Sequence, residues 1–195
     1  MEKTNSQPQG SMGADLRLFI AVELPQEIID EVARIQRYLK KRRIFEGAYT
    51  QQRGMHMTLT FLGEVAPENL GPITEALRTI TAPAMHARLG FFDFFVSRQE
   101  IKILFLNVWC PELTSLVAQI EQALVPWYTK EARSFVAHVT LARIKWAPDR
   151  EKVEAVLQDF AVKKLEFTID SFVLKKSELT PEGPLYTDIA TYLLK

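Results

Sequence analysis

His56-Met57-Thr58-Leu59 returns as His138-Val139-Thr140-Leu141, 82 residues further along the chain. The sequence has three histidines, and two of them open the same four-residue frame. On average composition, two such frames arise by chance in roughly fewer than one chain in a thousand. The flanking sequence repeats as well. Each half reads strand, proline, helix, loop, H-x-T-L strand, Ala-Pro, helix, strand. Pro25 and Pro111 lie 86 residues apart, and Pro67 and Pro148 lie 81 apart. One order of elements at nearly one spacing indicates a duplicated α+β unit. The architecture expected is bilobal and pseudo-two-fold, with two antiparallel-rich sheets lining a central cleft and helices on the outer faces. The period lies far above that of a solenoid, so residues 15–195 are read as a single bilobal domain.

The elements follow from apolar periodicity. Leu16 to Leu24 is rich in β-formers and stops at Pro25, which suits the first turn of a helix. Ile28, Val32, Ile35 and Leu39 then mark one helix face, and Lys40, Lys41, Arg42 and Arg43 suit its C-terminal dipole. A loop is expected from Gly47 to Gly54, then a strand from His56 to Leu62, stopped by Gly63. Ala66-Pro67 opens a helix with Leu70, Ile73, Leu77 and Ile80 inward. Strands are predicted over 87–96 and 101–109 with a turn at Gln99-Glu100, then a helix from Pro111 burying Leu113, Leu116, Val117, Ile120 and Leu124. The second motif strand is placed at 135–144. A helix from Ala147-Pro148 carries Val153, Val156, Leu157 and Phe160. Two last strands, 164–175 and 185–193, are joined through Pro181-Glu182-Gly183-Pro184.

Composition narrows the function classes. The 195 residues are 47% hydrophobic and 25% charged, ordinary for a soluble globular chain. Basic and acidic residues balance at 24 each, so no global field favours long nucleic acid or a membrane surface. A protein that grips one phosphate is still allowed. Cys110 is the single cysteine, which rules out an internal disulfide and a cysteine-based zinc site. A cytoplasmic location is the simplest reading. No apolar run approaches the ~20 residues that span a bilayer. Residues 1–14 lack a signal-peptide core and read as a disordered tail or cloning remnant.

In a strand, residues i and i+2 share a face. His56 and Thr58 therefore point one way, and Met57, Leu59 and Phe61 the other. His138 and Thr140 sort in the same manner against Val139 and Leu141. Two lobes related by a two-fold axis would bring two imidazoles and two hydroxyls to one small volume. An imidazole titrates near pH 6.5, so one can accept a proton while the other donates one. The hydroxyls can donate to non-bridging phosphate oxygens. Attack of water on a phosphodiester matches that set, with one histidine as base and the other as acid on the departing ribose oxygen.

Other chemistries fit less well. H-x-T supplies one zinc ligand per strand, with no cysteine or H-x-H to complete a shell, so no metal is expected. There is no G-x-S-x-G, and Cys110 has no neighbouring histidine in sequence. His86 lacks the frame and reads as structural or exposed.

The paired HMTL and HVTL motifs resemble those of the 2H phosphoesterase superfamily. RLFIAVELP, HMTLTFLGEV, HVTLAR and ELTPEGPLYT are similar to segments of the bacterial and archaeal RNA 2′,3′-cyclic phosphodiesterases, the 2′-5′ RNA ligase-like family. The resemblance spans about Leu16 to Leu193. It implies a bilobal α+β fold and no cofactor. It also implies opening of a 2′,3′-cyclic phosphate at an RNA end to leave a 2′-phosphate. Carried over, His56 donates a proton to the leaving 3′-oxygen and His138 accepts one from water, with Thr58 and Thr140 on the phosphate.

By the same resemblance Arg143 adds a charged phosphate contact. Strict alternation puts Arg143 on the face away from His138, so this role requires the strand to end or bulge near Ala142. Tyr186 reads either as a cleft residue that stacks on a base or as core. Arg53, in the QQRGMHM approach that departs from the family's more apolar pattern, reads as a solvated loop charge. The expected ligands are RNA ends or nucleotides with a 2′,3′-cyclic phosphate, bound by a monomer with no membrane partner. Ligase-direction chemistry, hydrolysis of other cyclic phosphates or 2′-5′ oligonucleotides, and non-catalytic binding of RNA ends are the competing readings.

Overall fold

The helices and the longer strands form where the apolar periods place them. The computed structural model describes residues 14–129, 134–181 and 183–195. In chain order the elements are β1 (Leu16–Glu23), α1 (Gln26–Arg42), β2 (Glu46–Tyr49), β3 (His56–Val65), α2 (Leu70–Arg78), β4 (Met85–Ser97) and β5 (Glu100–Trp109). Then come α3 (Leu113–Ala123), β6 (His138–Trp146), α4 (Arg150–Gln158), β7 (Glu166–Ile169), β8 (Ser171–Thr180) and β9 (Gly183–Leu193). The expected N-terminal tail falls almost wholly outside the described residues, as does Glu182 of the β8–β9 turn.

Two sheets form, with orders β3-β1-β8-β9 and β2-β6-β5-β4-β7, and every pairing is antiparallel. Aligning the two motif strands aligns the sheets: β3-β1-β8-β9 matches β6-β5-β4-β7, and β2 is an added edge beside β6. The α+β bilobal duplication is therefore present, but its halves are interwoven. The first sheet takes β1 and β3 from the N-terminal half and β8 and β9 from the C-terminal half. The second sheet takes β2 and β4 in return. Separating the halves would expose the edges of β1 and β5.

Helices follow the same exchange. In α1, Ile28, Val32, Ile35 and Leu39 are completely buried, each contributing about 2 kcal/mol of apolar transfer energy. Yet this N-terminal helix is tied to the second sheet. Gln36 Nε2 donates to the carbonyls of Thr50 and Leu141 at 2.8 and 3.0 Å, and the Tyr38 hydroxyl donates to Val156 in α4. Buried Glu31 accepts from the Lys163 amide and from Arg34, whose guanidinium also donates to the Ala161 carbonyl. Burial alone would raise the Glu31 pKa, but these bonds outweigh it and hold the carboxyl below its usual range. On the first sheet, α3 lies against β3 and α2. Among the described residues, no helix is long and apolar enough to cross a membrane.

Several boundaries differ from expectation, each for a local reason. The loop predicted after Gly47 contains β2, whose four residues are too few to carry a period. Gly63 does not stop β3. With φ at 77° it sits opposite Leu18 beside a register shift, so a left-handed glycine is absorbed as a bulge. The strand predicted over 164–175 is two strands, because at Asp170 the chain leaves β4 in one sheet and joins β1 in the other. The β4–β5 turn centres on Arg98-Gln99, one residue early. Both residues are left-handed, at φ 50° and 66°, in the geometry that matches strand twist in two-residue hairpins. The second motif strand starts at His138, three residues late, and α4 starts at Arg150, capped by Asp149 accepting from the Lys152 amide.

Candidate active site

The H-x-T-L frames do more than alternate, because each contains a bulge at its leucine. On β3, Thr58 pairs with Ala21 and Thr60 with Ile20, which leaves Leu59 extra. On β6, Thr140 pairs with Phe105 and Ala142 with Leu104, which leaves Leu141 extra. An extra residue reverses the parity of everything after it. Leu59 and Thr60 are both buried, as are Leu141 and Ala142. Arg143 thereby emerges exposed on the face of His138 and Thr140, the bulge it required being one residue before Ala142. Phe61, at the matching position of β3, emerges beside His56 and Thr58 with 49% of its surface exposed. Its assignment to the Met57 and Leu59 face is corrected. Strict alternation could not find it, since bulges leave no composition signal.

Equivalent surroundings hold the two imidazoles. His138 Nδ1–H donates to the Val136 carbonyl at 2.7 Å, and His56 bonds to the Gly54 carbonyl, likewise two residues upstream. This fixes the His138 tautomer and leaves Nε2 to exchange protons. Phe19 on β1 lies 4.9 Å from His56, and Phe105 on β5 lies 4.9 Å from His138. A second ring meets each imidazole edge-on at 5.0 Å, Tyr186 for His56 and Phe95 for His138. Tyr186 thus lines the histidine site, and a Cβ added to Gly54 would stand 3.0 Å from its ring. Thr58 and Thr140 are half-buried, whereas Arg53 is exposed in a short 3-10 turn before β3.

Motif strands β3 and β6 approach each other, and their charged groups interact. Burial pushes the His56 pKa down to about 4, helped by the Lys175 cation and by Arg143 and His138, and opposed by the Gly54 bond. Burial also lowers His138, opposed by the Val136 carbonyl and helped by Arg143. Both shifts favour the neutral ring at pH 7, and a nearby anion would favour the charged form. Arg143, exposed on the His138 side of β6, bears in the same direction on both rings.

Elsewhere, His86 is exposed and meets Glu166 across β4 and β7 at 3.1 Å. Cys110 is buried, and burial raises its thiol pKa, so it is held as the unreactive thiol. Among the described residues, no group of three His, Cys, Asp or Glu side chains converges as a metal-ligand set.

A fold of two antiparallel sheets whose neighbouring motif strands each carry a ring-caged histidine defines a class. The family model for LigT-like phosphoesterases matches residues 22–105 and 110–186. The chain belongs to that family. It is 30% identical over 174 residues to the RNA 2′,3′-cyclic phosphodiesterase of Thermotoga maritima, covering 88% of this chain and 91% of the relative. It is 27% identical over 172 residues to that of Methanocaldococcus jannaschii, covering 88% and 96%. The crystal structure of Escherichia coli LigT complexed with 3′-AMP aligns over 92% of this chain and 98% of its own, with TM-score 0.72 and 22% identity.

Proposed function

We propose that the cleft hydrolyses 2′,3′-cyclic phosphates at RNA ends to 2′-phosphomonoesters, with two histidines and no metal ion. One observation carries the reading. Two imidazoles in matched ring cages stand on motif strands that approach each other, each followed at i+2 by a threonine, with Arg143 exposed on the His138 side. The names of the relatives from Thermotoga maritima and Methanocaldococcus jannaschii support the substrate class.

In this reaction the substrate phosphate is bound by the Thr58 and Thr140 hydroxyls and by Arg143. Its negative charge offsets the burial penalty on an imidazolium, so His56 becomes protonated as substrate enters. Neutral His138 takes a proton from water as the water oxygen bonds to phosphorus. The bond from phosphorus to the 3′-oxygen breaks, and that oxygen takes the proton from His56. The products are a 2′-phosphomonoester and a 3′-hydroxyl. His138 is left charged and His56 neutral, and exchange with solvent resets them. Imidazolium, guanidinium and hydroxyl donors offset the charge that develops on the phosphoryl oxygens. Every group named comes from one chain, so a monomer suffices. With no net charge, recognition centres on the terminal phosphate and its nearest nucleotides rather than a long RNA groove.

Phosphorus NMR of the product from a nucleoside 2′,3′-cyclic phosphate tests this reading. A 2′-monophosphate is expected. A 3′-monophosphate, or no turnover with binding intact, would overturn it.

A further inference from the structure

The pseudo-two-fold axis matches the two histidine cages but not the charges behind them. Opposite His56 on β1 is Glu23, and opposite Phe19 on β8 is Lys175. In the second sheet, Asn107 stands opposite His138 and Asp93 opposite Phe105. Cross-strand partners share a sheet face, so Lys175 stands on the His56 side of the first sheet and Asp93 on the His138 side of the second. Where one lobe has an ammonium, its twin has a carboxylate.

Lys175 is only 7% exposed, which a lysine tolerates when paired. Its Nζ forms ion pairs with Glu23 and with Asp188 of β9. Burial pulls its pKa down, but the two carboxylates outweigh this and raise it, so the ammonium remains charged. The corresponding polar pair in the other lobe is Asn107 Nδ2 donating to Asp93 Oδ2 at 3.4 Å.

We infer that Lys175, locked by Glu23 and Asp188, is the positioning residue that makes two otherwise matched histidines unequal, committing His56 to donate a proton and His138 to accept one. The inference rests on the reaction proposed above. A cation beside an imidazolium disfavours the charged form, which strengthens that ring as an acid when substrate has charged it. Among the described residues, the charged and titratable groups on the His56 side are Lys175 from β8, Glu23 from β1, Tyr186 and Asp188 from β9, and Arg143 and His138 from β6. Among the cations, Lys175 has the largest influence. Among the described residues, His138 has Arg143 on its own strand, Asp93 from β4 and His56 from β3 as its charged and titratable neighbours, and Asp93 stands where the other lobe has Lys175.

With only three histidines in the chain, a proton–nitrogen NMR titration of the imidazoles reads the effect directly. Lys175→Met should raise the His56 midpoint by about one pH unit and leave His138 nearly unmoved. Lys175→Arg should restore the wild-type midpoint. Glu23→Gln should move His56 the opposite way, downward, because it leaves the ammonium less neutralised. A packing defect would not produce opposite signs. The high-pH limb of kcat/KM on a nucleoside 2′,3′-cyclic phosphate should follow the His56 midpoint.

An unchanged His56 midpoint in folded Lys175→Met, or an equal shift of His138, overturns the inference. Should Lys175→Met fail to fold, Lys175→Gln takes its place: a raised His56 midpoint with His138 nearly unmoved supports the inference, and an unchanged or lowered one overturns it. Wild-type turnover separates the two claims. If the protein hydrolyses the cyclic phosphate while Lys175→Met leaves His56 unmoved, this inference alone falls. If wild type turns over no cyclic phosphate, the proposed reaction falls first.

Discussion

Burial holds His56 and His138 below the ordinary imidazole range, His56 at about 4. That tuning has a thermodynamic cost at low pH. The unfolded chain takes up protons at both rings near pH 6.5, whereas the folded chain resists doing so until lower pH. Between those limits the unfolded state binds more protons, so stability rises with pH there and falls as pH drops from about 6.5 toward 4. Urea unfolding at pH 7 and pH 5 should therefore show a loss of stability that is smaller in His56→Gln than in wild type. Equal losses in the two proteins would contradict the burial reading. At this scale the sequence was informative about the histidines and threonines, because a duplicated frame needs no geometry to be noticed. Phe61 and Lys175 were not legible. Phe61 depends on an unsignalled bulge, and Lys175 depends on a strand pairing between residues far apart in the chain.

Elements position Arg143 more than its own sequence does. The bulge at Leu141 turns it to the His138 face of β6, and that bulge is held from outside β6. Gln36 of α1 and the Thr50 amide both donate to the Leu141 carbonyl. β2 covers the far edge, pairing Ala48 with Arg143. There Gly47 passes so close that an added Cβ would sit 2.2 Å from the Arg143 carbonyl oxygen. Gly47→Ala must displace β2 or the Arg143 backbone. It should lower kcat/KM by about tenfold or more, approaching Arg143→Ala, since a charge-assisted phosphate contact is worth roughly 1.5–3 kcal/mol. Wild-type kcat/KM in Gly47→Ala would mean that Arg143 is not positioned through this edge. The helices and longer strands were readable from period alone. β2 was not, being four residues long with no apolar alternation. The break at Asp170 was also missed, because β7 and β8 follow one another with only Asp170 between them, and no proline or glycine marks the change of sheet.

For the whole molecule, duplication was legible and interweaving was not. Repeat spacing reports that two units exist, but says nothing of which strands each sheet borrows. Because β8 completes the sheet begun by β1, and β4 the sheet of β5, neither lobe has its full sheet without both halves of the chain. We therefore expect one cooperative transition. Far-ultraviolet dichroism, which reports both lobes, should coincide in urea with the fluorescence of Trp109 on β5, Trp127 in the segment after α3 and Trp146 on β6. Two separated transitions would make the lobes independent domains.

The pairing of histidines across the interwoven sheets is what the proposed reaction depends on, and turnover reads it most plainly. Hydrolysis of a nucleoside 2′,3′-cyclic phosphate should be measured with excess chelator for wild type, His56→Ala and His138→Ala. Wild type should keep its rate in chelator, and each variant should lose about 10²–10⁴-fold in kcat. Activity abolished by chelator, or retained by either variant, would contradict a metal-independent exchange of protons between two histidines.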